Sequence, residues 1–324
     1  MPMPRVALPS GRTGPEVATG IVDWIRSEPL DRLVRAFAGD PPAGDPAELL
    51  DWLEGFSARV WDFRAGRERP EAREPDLDPA LARLVVTAAD DLGMVAPHPA
   101  PRPAYAHLVV LGGLAPACLR RTGYAARLIE RGQVTVDEVA VLGSFRPLSP
   151  AERAALAAVG LPECDTEFDA LDAGLRLGFG DPDRLTDAGG LRDDPHTSWA
   201  ERTYRHRAGV RIRVLAAPSG EPAVRRAHTA DTQRFWAGRV RLTDADPVLL
   251  VTAPIYVPFQ HCDALRTLGL PYSCPVDTVG IDPAADLAPL PEPVLTPGRY
   301  LQEIRSAIRS MRALHAALPG GAAR

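Results

Sequence analysis

Lysine is absent from all 324 residues, so every side chain that is cationic at neutral pH, histidine aside, is an arginine. The absence excludes a Walker-type phosphate loop, Schiff-base chemistry and any lysine general base in one step. Anions would have to be held by guanidinium forks, main-chain N–H groups or helix N-termini. Cysteine is scarce and scattered. Cys118, Cys164, Cys262 and Cys274 show no CxxC spacing, which argues against a metal site or a disulfide framework and for buried free thiols. Long apolar runs are lacking too: no window approaches the roughly 18 residues needed to cross a bilayer. The opening "MPMPRVALPSGRTG" has no signal-peptide core, so no membrane partner and a cytoplasmic location are expected. There is no excess of positive charge either. Hydrophobic residues make up 45%, charged residues 24%, and the net charge is −5, which argues against nucleic acid as a partner.

What is present divides at a proline-rich stretch. Residues 1–95 carry apolar positions at helical spacing in "GPEVATGIVDWIRS", "DPAELLDWLEGFSARVWDFRAG" and "DLDPALARLVVTAADDLGMV", with Asp45 a natural N-cap of the second. "APHPAPRPA", residues 96–104, reads as a linker. From 105 onward short apolar runs alternate with helical patterns. "YAHLVVLGG", "VDEVAVLGS", "VRIRVLAAP" and "PVLLVTAP" are strands, "YSCPVDTVGID" is a candidate last strand, and "GRYLQEIRSAIRSMRALHAAL" is a closing helix. Such alternation predicts an α/β fold, a doubly wound parallel sheet with a helical N-terminal extension. The polar, glycine-rich stretch 180–209 interrupts it and is expected to be a lid, a binding loop or a disordered insertion.

In an open parallel sheet, ligands bind outside the carboxyl ends of the strands. The candidates are therefore the residues that follow each strand: Gly112 and Gly113; Ser144 and Arg146; and Thr252 through Tyr256, Gln260 and His261. Ser149 and Glu152 match a capping box and are explained by a helix start; Arg146 is not, and is expected to contact an anion. Asp165 or Thr166 caps the next helix, which leaves Glu167 to act as a ligand hook or base. In "AHTADT", Thr229 is the expected N-cap, and His228 beside Asp231 has the composition of a general base. No GxSxG elbow, HExxH pair or phosphate loop is present.

Several of these pieces, in this order, resemble the YdcF/SanA/ElyC-like family over about residues 105–281. "HLVVLGG" is similar to that family's first strand, and "RTGYAARLIERG" to its arginine–alanine–leucine–glycine rhythm, at Arg121, Ala125, Leu128 and Gly132. "VAVLGS" stands where the family closes a strand on Ser-Gly-Gly. "AHTADT" and "LLVTAPIYVPFQ" stand where it has Ala-Asn-Thr-x-Glu-Asn and Val-Thr-Ser-x-x-His-x-x-Arg-Ala. The chain departs from it at His228, Asp231, Thr232, Tyr256 and Phe259. The resemblance implies a Rossmann-like domain and a cofactor such as S-adenosylmethionine. It adds Arg121 to the ligand-binding set and gives Tyr256 and Gln260 the place of the family's histidine and arginine.

The expected function is a small-molecule enzyme acting on a nucleotide-like or other anionic metabolite, suited to a tailoring step in specialised metabolism. Its proton-transfer candidates are His228, Asp231 and Glu167, with no metal. The alternative is a non-catalytic protein that binds or senses an adenosyl ligand. A third expectation is assembly, including homo-oligomers, through the N-terminal helices.

Overall fold

A computed structural model of the chain describes residues 5–63, 75–97, 99–282 and 294–319. The chain divides into two compact units. The first comprises Met1–His98, Pro254–Arg266 and Pro293–Arg324; the second comprises Pro99–Ala253 and Thr267–Glu292.

The first unit is helical. Helices α1 (Gly14–Ile25), α2 (Glu28–Ala36), α3 (Pro46–Val60) and α4 (Pro79–Asp91) each carry proline in the first turn, where the missing N–H is harmless, and α3 and α4 begin on it. Asp45 caps α3 by accepting from the Glu48 N–H at 2.9 Å. Their apolar stripes bury Val17, Ile21, Trp24, Leu33, Leu50 and Leu53. The same unit contains α9 (Val257–Ala264) and the closing helix α11 (Pro297–Ala316), which packs on α9, α3 and α4. Arg305 pairs with Asp62 at 3.2 Å and Arg312 with Glu54 at 2.9 Å. The closing helix was expected to complete the α/β domain and instead belongs to the helical unit. Its amphipathic pattern fixes which face is buried but not what buries it.

The second unit is a seven-stranded sheet in the order β3-β4-β5-β2-β1-β6-β7. Its strands are β1 (Ala104–Leu111), β2 (Thr135–Gly143), β3 (Asp183–Gly190), β4 (Trp199–Arg205), β5 (Arg211–Ala216), β6 (Val248–Thr252) and β7 (Val276–Gly280). The last five in that order, β5 through β7, are parallel. Their central runs are continuously buried, as strands covered on both faces should be. Helices α5 (Ala115–Glu130), α6 (Pro150–Ala157), α7 (Glu167–Gly178), α8 (Thr229–Val240) and the single-turn α10 (Leu270–Tyr272) complete the unit. This is a Rossmann-like α/β arrangement with a helical N-terminal region.

The 180–209 stretch is no lid. It forms the antiparallel hairpin β3–β4, which extends the sheet beyond β5. An ionic strip anchors it: Arg213 on β5 donates to Glu138 on β2 at 2.8 Å and to Glu201 on β4 at 2.6 Å. Arg239 on α8 donates to the other oxygen of Glu201 at 2.9 Å, and its guanidinium lies over the Trp199 ring. Tyr204 on β4 donates to Asp172 on α7.

Among the described residues no helix is long and apolar enough to cross a membrane. All four cysteines are free and buried, and burial pushes the Cys118 thiol up to about 12.

Candidate functional site

From β1 the chain steps outward to β2 and β5, then returns to the other side of β1 for β6 and β7. The carboxyl ends of these parallel strands therefore share one edge, with Gly112–Gly113, Ser144–Arg146 and Ser219–Gly220 each following a strand and Thr252 ending one.

The β1 and β2 ends form one cluster. Glu167 opens α7 after Thr166, whose side chain accepts from the Asp169 N–H as the cap. The Glu167 side chain turns toward the strand ends. Its carboxylate accepts from the Ser144 N–H at 3.1 Å and from the Ser144 hydroxyl at 2.8 Å. Burial raises its pKa, against the lowering effects of Arg146 and these donors. Gly112 is needed here for space: a β-carbon would sit 2.6 Å from this carboxylate and 2.8 Å from the Leu142 carbonyl.

Both arginines at this edge serve the protein itself. Arg121 is buried, donating to the carbonyls of Leu111, at 2.7 Å, and Gly112. Arg146 makes a fork to Glu152 at 2.8 and 3.0 Å and donates to the Gly113 carbonyl at 2.8 Å. Glu152 also takes the N–H groups of Ala115 and Ser149, each at 2.9 Å. Burial pushes Glu152 up, but the Arg146 fork and these N–H groups outweigh it and hold the carboxyl at about 2. Arg146 was expected to meet an external anion; its charge is committed to Glu152 instead. The capping box at Ser149 and Glu152 is present, so one carboxylate both caps a helix and neutralises the arginine.

The β5 end is more open. His228, and not Thr229, is the N-cap of α8; Thr229 is its first residue, and its carbonyl accepts from the Thr232 hydroxyl. The Asp231 carboxylate is buried, takes the His228 N–H at 3.0 Å, and pairs with Arg225. Burial pushes Asp231 up, but Arg225 and the His228 groups prevail and keep it below the usual carboxylate value. The His228 ring places Nδ1 3.2 Å from Asp231 Oδ2, and its side chain is 52% exposed. Arg225, a residue the sequence reading passed over, reaches the Ser219 hydroxyl at 3.5 Å. The signal for it was local: a basic pair just ahead of an N-cap with an aspartate in the first helical turn. Gly220 is close-packed here, since a β-carbon on it would sit 2.8 Å from Asp231.

Thr252 ends β6 with its hydroxyl fully buried and without a hydrogen-bond partner among the described residues. Tyr256, Gln260 and His261 fall in the helical unit. Tyr256, with Arg299, Gln302 and Glu303, lines a cavity of about 10 Å³, room for about one water. Gln260 is buried, and His261 Nε2 lies 2.7 Å from the Pro9 carbonyl. A larger cavity of about 230 Å³ in the helical unit is lined by Leu30, Val34, Leu49, Leu53 and Arg35 among others.

Residues 9–93 match the family model described as the Rv3785 N-terminal domain. Proteins Rv3785 and MT3893 of Mycobacterium tuberculosis and Mb3814 of Mycobacterium bovis, each described as uncharacterized, are 34% identical over 341 residues, covering 97% of this chain and 94% of theirs. The chain belongs to the Rv3785 family. No solved structure matches it. Membership of this family overturns the resemblance to the YdcF/SanA/ElyC-like family, to which nothing in these matches points. The pieces that carried the resemblance were strand ends with glycines and a helix start with threonine. Any parallel α/β sheet needs such residues at such places. The expectation of S-adenosylmethionine rested on that resemblance and goes with it.

Proposed function

We propose that this member of the Rv3785 family is an enzyme acting on a small anionic, nucleotide-sized metabolite held across the carboxyl ends of β1, β2 and β5. His228 transfers the proton and Asp231 positions it. The observation that supports this most is the His228–Asp231 pair. A buried aspartate, kept ionised by Arg225, faces one ring nitrogen of a half-exposed histidine, leaving the other nitrogen to a ligand. Such proximity steadies the imidazolium that forms when the ring takes a proton. Neighbouring strands lie about 4.8 Å apart, so the β1 and β5 ends are separated by about 10 Å, a span that suits a nucleotide-sized body.

The test is a panel of phosphorylated and carboxylated metabolites scored by thermal stabilisation, since a ligand of the folded state raises stability by mass action. Turnover of each stabilising compound is then followed in the wild type, His228→Gln and Asp231→Asn. The expected result is a loss of about 10²-fold or more in turnover for His228→Gln, the usual contribution of a general acid–base group, with an unchanged melting temperature. Full turnover in His228→Gln would refute the assignment. Stabilisation without turnover in the wild type would make the protein a binder instead.

A further inference from the structure

The β1 and β2 loops converge on one carboxylate. The Ser144 N–H and hydroxyl both reach Glu167 Oε2, and the β1 loop lies against the other oxygen, where a β-carbon on Gly112 would sit 2.6 Å from Oε1. A main-chain amide and a hydroxyl pointing into one concavity are donors with which proteins hold phosphate and carboxylate groups. The walls are cut to the same purpose. Gly112 admits no side chain, and a β-carbon on Gly143 would meet Leu171 and the stem of Glu167. The positive charges nearby are pinned behind the cradle, Arg121 by carbonyls and Arg146 by Glu152, so they set its potential without closing it.

We infer that this cradle is an oxyanion site for the substrate, and that the Glu167 carboxylate occupies it until an external oxyanion displaces it. The inference rests on the reading that the ligand lies across the strand ends, and deepens it by placing the ligand's anionic group at Gly113 and Ser144. Displacement has a chemical consequence. A carboxylate moved aside from its donors and left beside an anion takes up a proton, so oxyanion binding and protonation of Glu167 are coupled. Among the described residues, the titratable and charged groups around it are Cys118 on α5 and Arg146 after β2, with Arg121 held on the β1 carbonyls and Glu152 paired with Arg146. Burial moves Cys118 far above neutral pH, and Glu152 ionises near 2, so neither changes charge between pH 5 and 8.

Sulfate is the probe, because it stays dianionic across that range. Its affinity for the full chain is measured by calorimetry from pH 5 to 8 in the wild type, Glu167→Gln, Ser144→Ala and His228→Gln. In the wild type, affinity should rise as pH falls, by up to about tenfold per pH unit for one coupled proton. Glu167→Gln should bind sulfate with no such dependence and more tightly than the wild type at pH 8. Ser144→Ala should weaken binding at every pH, and His228→Gln should keep the wild-type slope. The slope surviving in Glu167→Gln would overturn the inference, as would undetectable sulfate binding in both the wild type and a folded Glu167→Gln. Should Glu167→Gln not fold, unchanged affinity in Ser144→Ala overturns it. The proposed proton transfer fails separately: a coupled sulfate site together with full turnover in His228→Gln keeps the cradle and removes the dyad.

Discussion

The carboxyl ends of β2 and β5 are neighbours in one sheet, yet they handle charge in opposite ways. At β2 the groups are sealed: Arg146 is only 13% exposed in its side chain, Glu152 6%, and their fork is completed by two main-chain N–H groups. At β5 the carboxylate is equally buried, but its partners Arg225 and His228 reach toward solvent. A buried pair whose every donor and acceptor is satisfied contributes rigidity and leaves nothing to offer a ligand. A buried anion with half-exposed partners leaves them able to meet one. Glu167 and Glu152 sharpen the contrast within a single edge. Both feel Arg146, but Glu152 is bonded to it and falls to about 2, whereas burial lifts Glu167 above its usual value despite its neutral donors.

If the Arg146–Glu152 pair bears stability and the His228–Asp231 pair bears proton transfer, substitutions should separate cleanly. The largest effect should come from Glu152→Ala, which strands a buried guanidinium and orphans the N–H groups of Ala115 and Ser149. A loss of about 3–5 kcal/mol in urea unfolding is expected, the usual result of removing one partner of a buried ion pair. Next is acid sensitivity. Glu152 is held at about 2 in the folded chain, against an ordinary 4.5, which corresponds to a stabilisation on the order of 3 kcal/mol. Because the value is depressed, this stability is complete above about pH 4.5 and is lost as pH falls toward 2. Unfolding free energies measured across that window should show the decline in the wild type and a shallower one in Glu152→Gln. Glu167 carries the opposite sign. Its raised value makes folding lose stability as pH rises from the ordinary carboxylate range, so Glu167→Gln should flatten the curve on that side.

Gly112→Ala should cost about 1–3 kcal/mol by crowding the Glu167 carboxylate and the Leu142 carbonyl, and calorimetric melting measures it. The smallest effect belongs to the β5 end. His228→Gln should change stability by less than about 0.5 kcal/mol, as for most exposed positions. A loss comparable to that of Glu152→Ala would erase the distinction between the two ends.

Much of the fold was legible because buried parallel strands announce themselves as unbroken apolar runs, as Leu108–Leu111 and Val248–Val251 do. The β3–β4 hairpin was hidden for the complementary reason. β3 is an edge strand exposed along nearly its whole length, so its arginine, aspartates and glycines carry no alternation to read. At the site, position after a strand was enough to select Gly112 and Ser144, the start of a helix pointed to His228, and capping rules found Ser149 and Glu152. Pairing was not legible. That Arg146 meets Glu152, and that Asp231 meets Arg225, depends on where side chains turn after the strand ends. Tyr256, Gln260 and His261 also follow a strand, but the chain leaves the sheet unit at Pro254, and proximity in sequence to β6 no longer locates them.

The central claim, that the ligand lies across the ends of β1, β2 and β5, is tested most directly by amide hydrogen exchange of the full chain, with and without the metabolite that stabilises it most. The account predicts new protection at Gly113, Ser144 and residues 219–232, with little change around Leu30, Val34 and Leu53. Protection confined to that helical cavity, with none at Gly113 or Ser144, would contradict it.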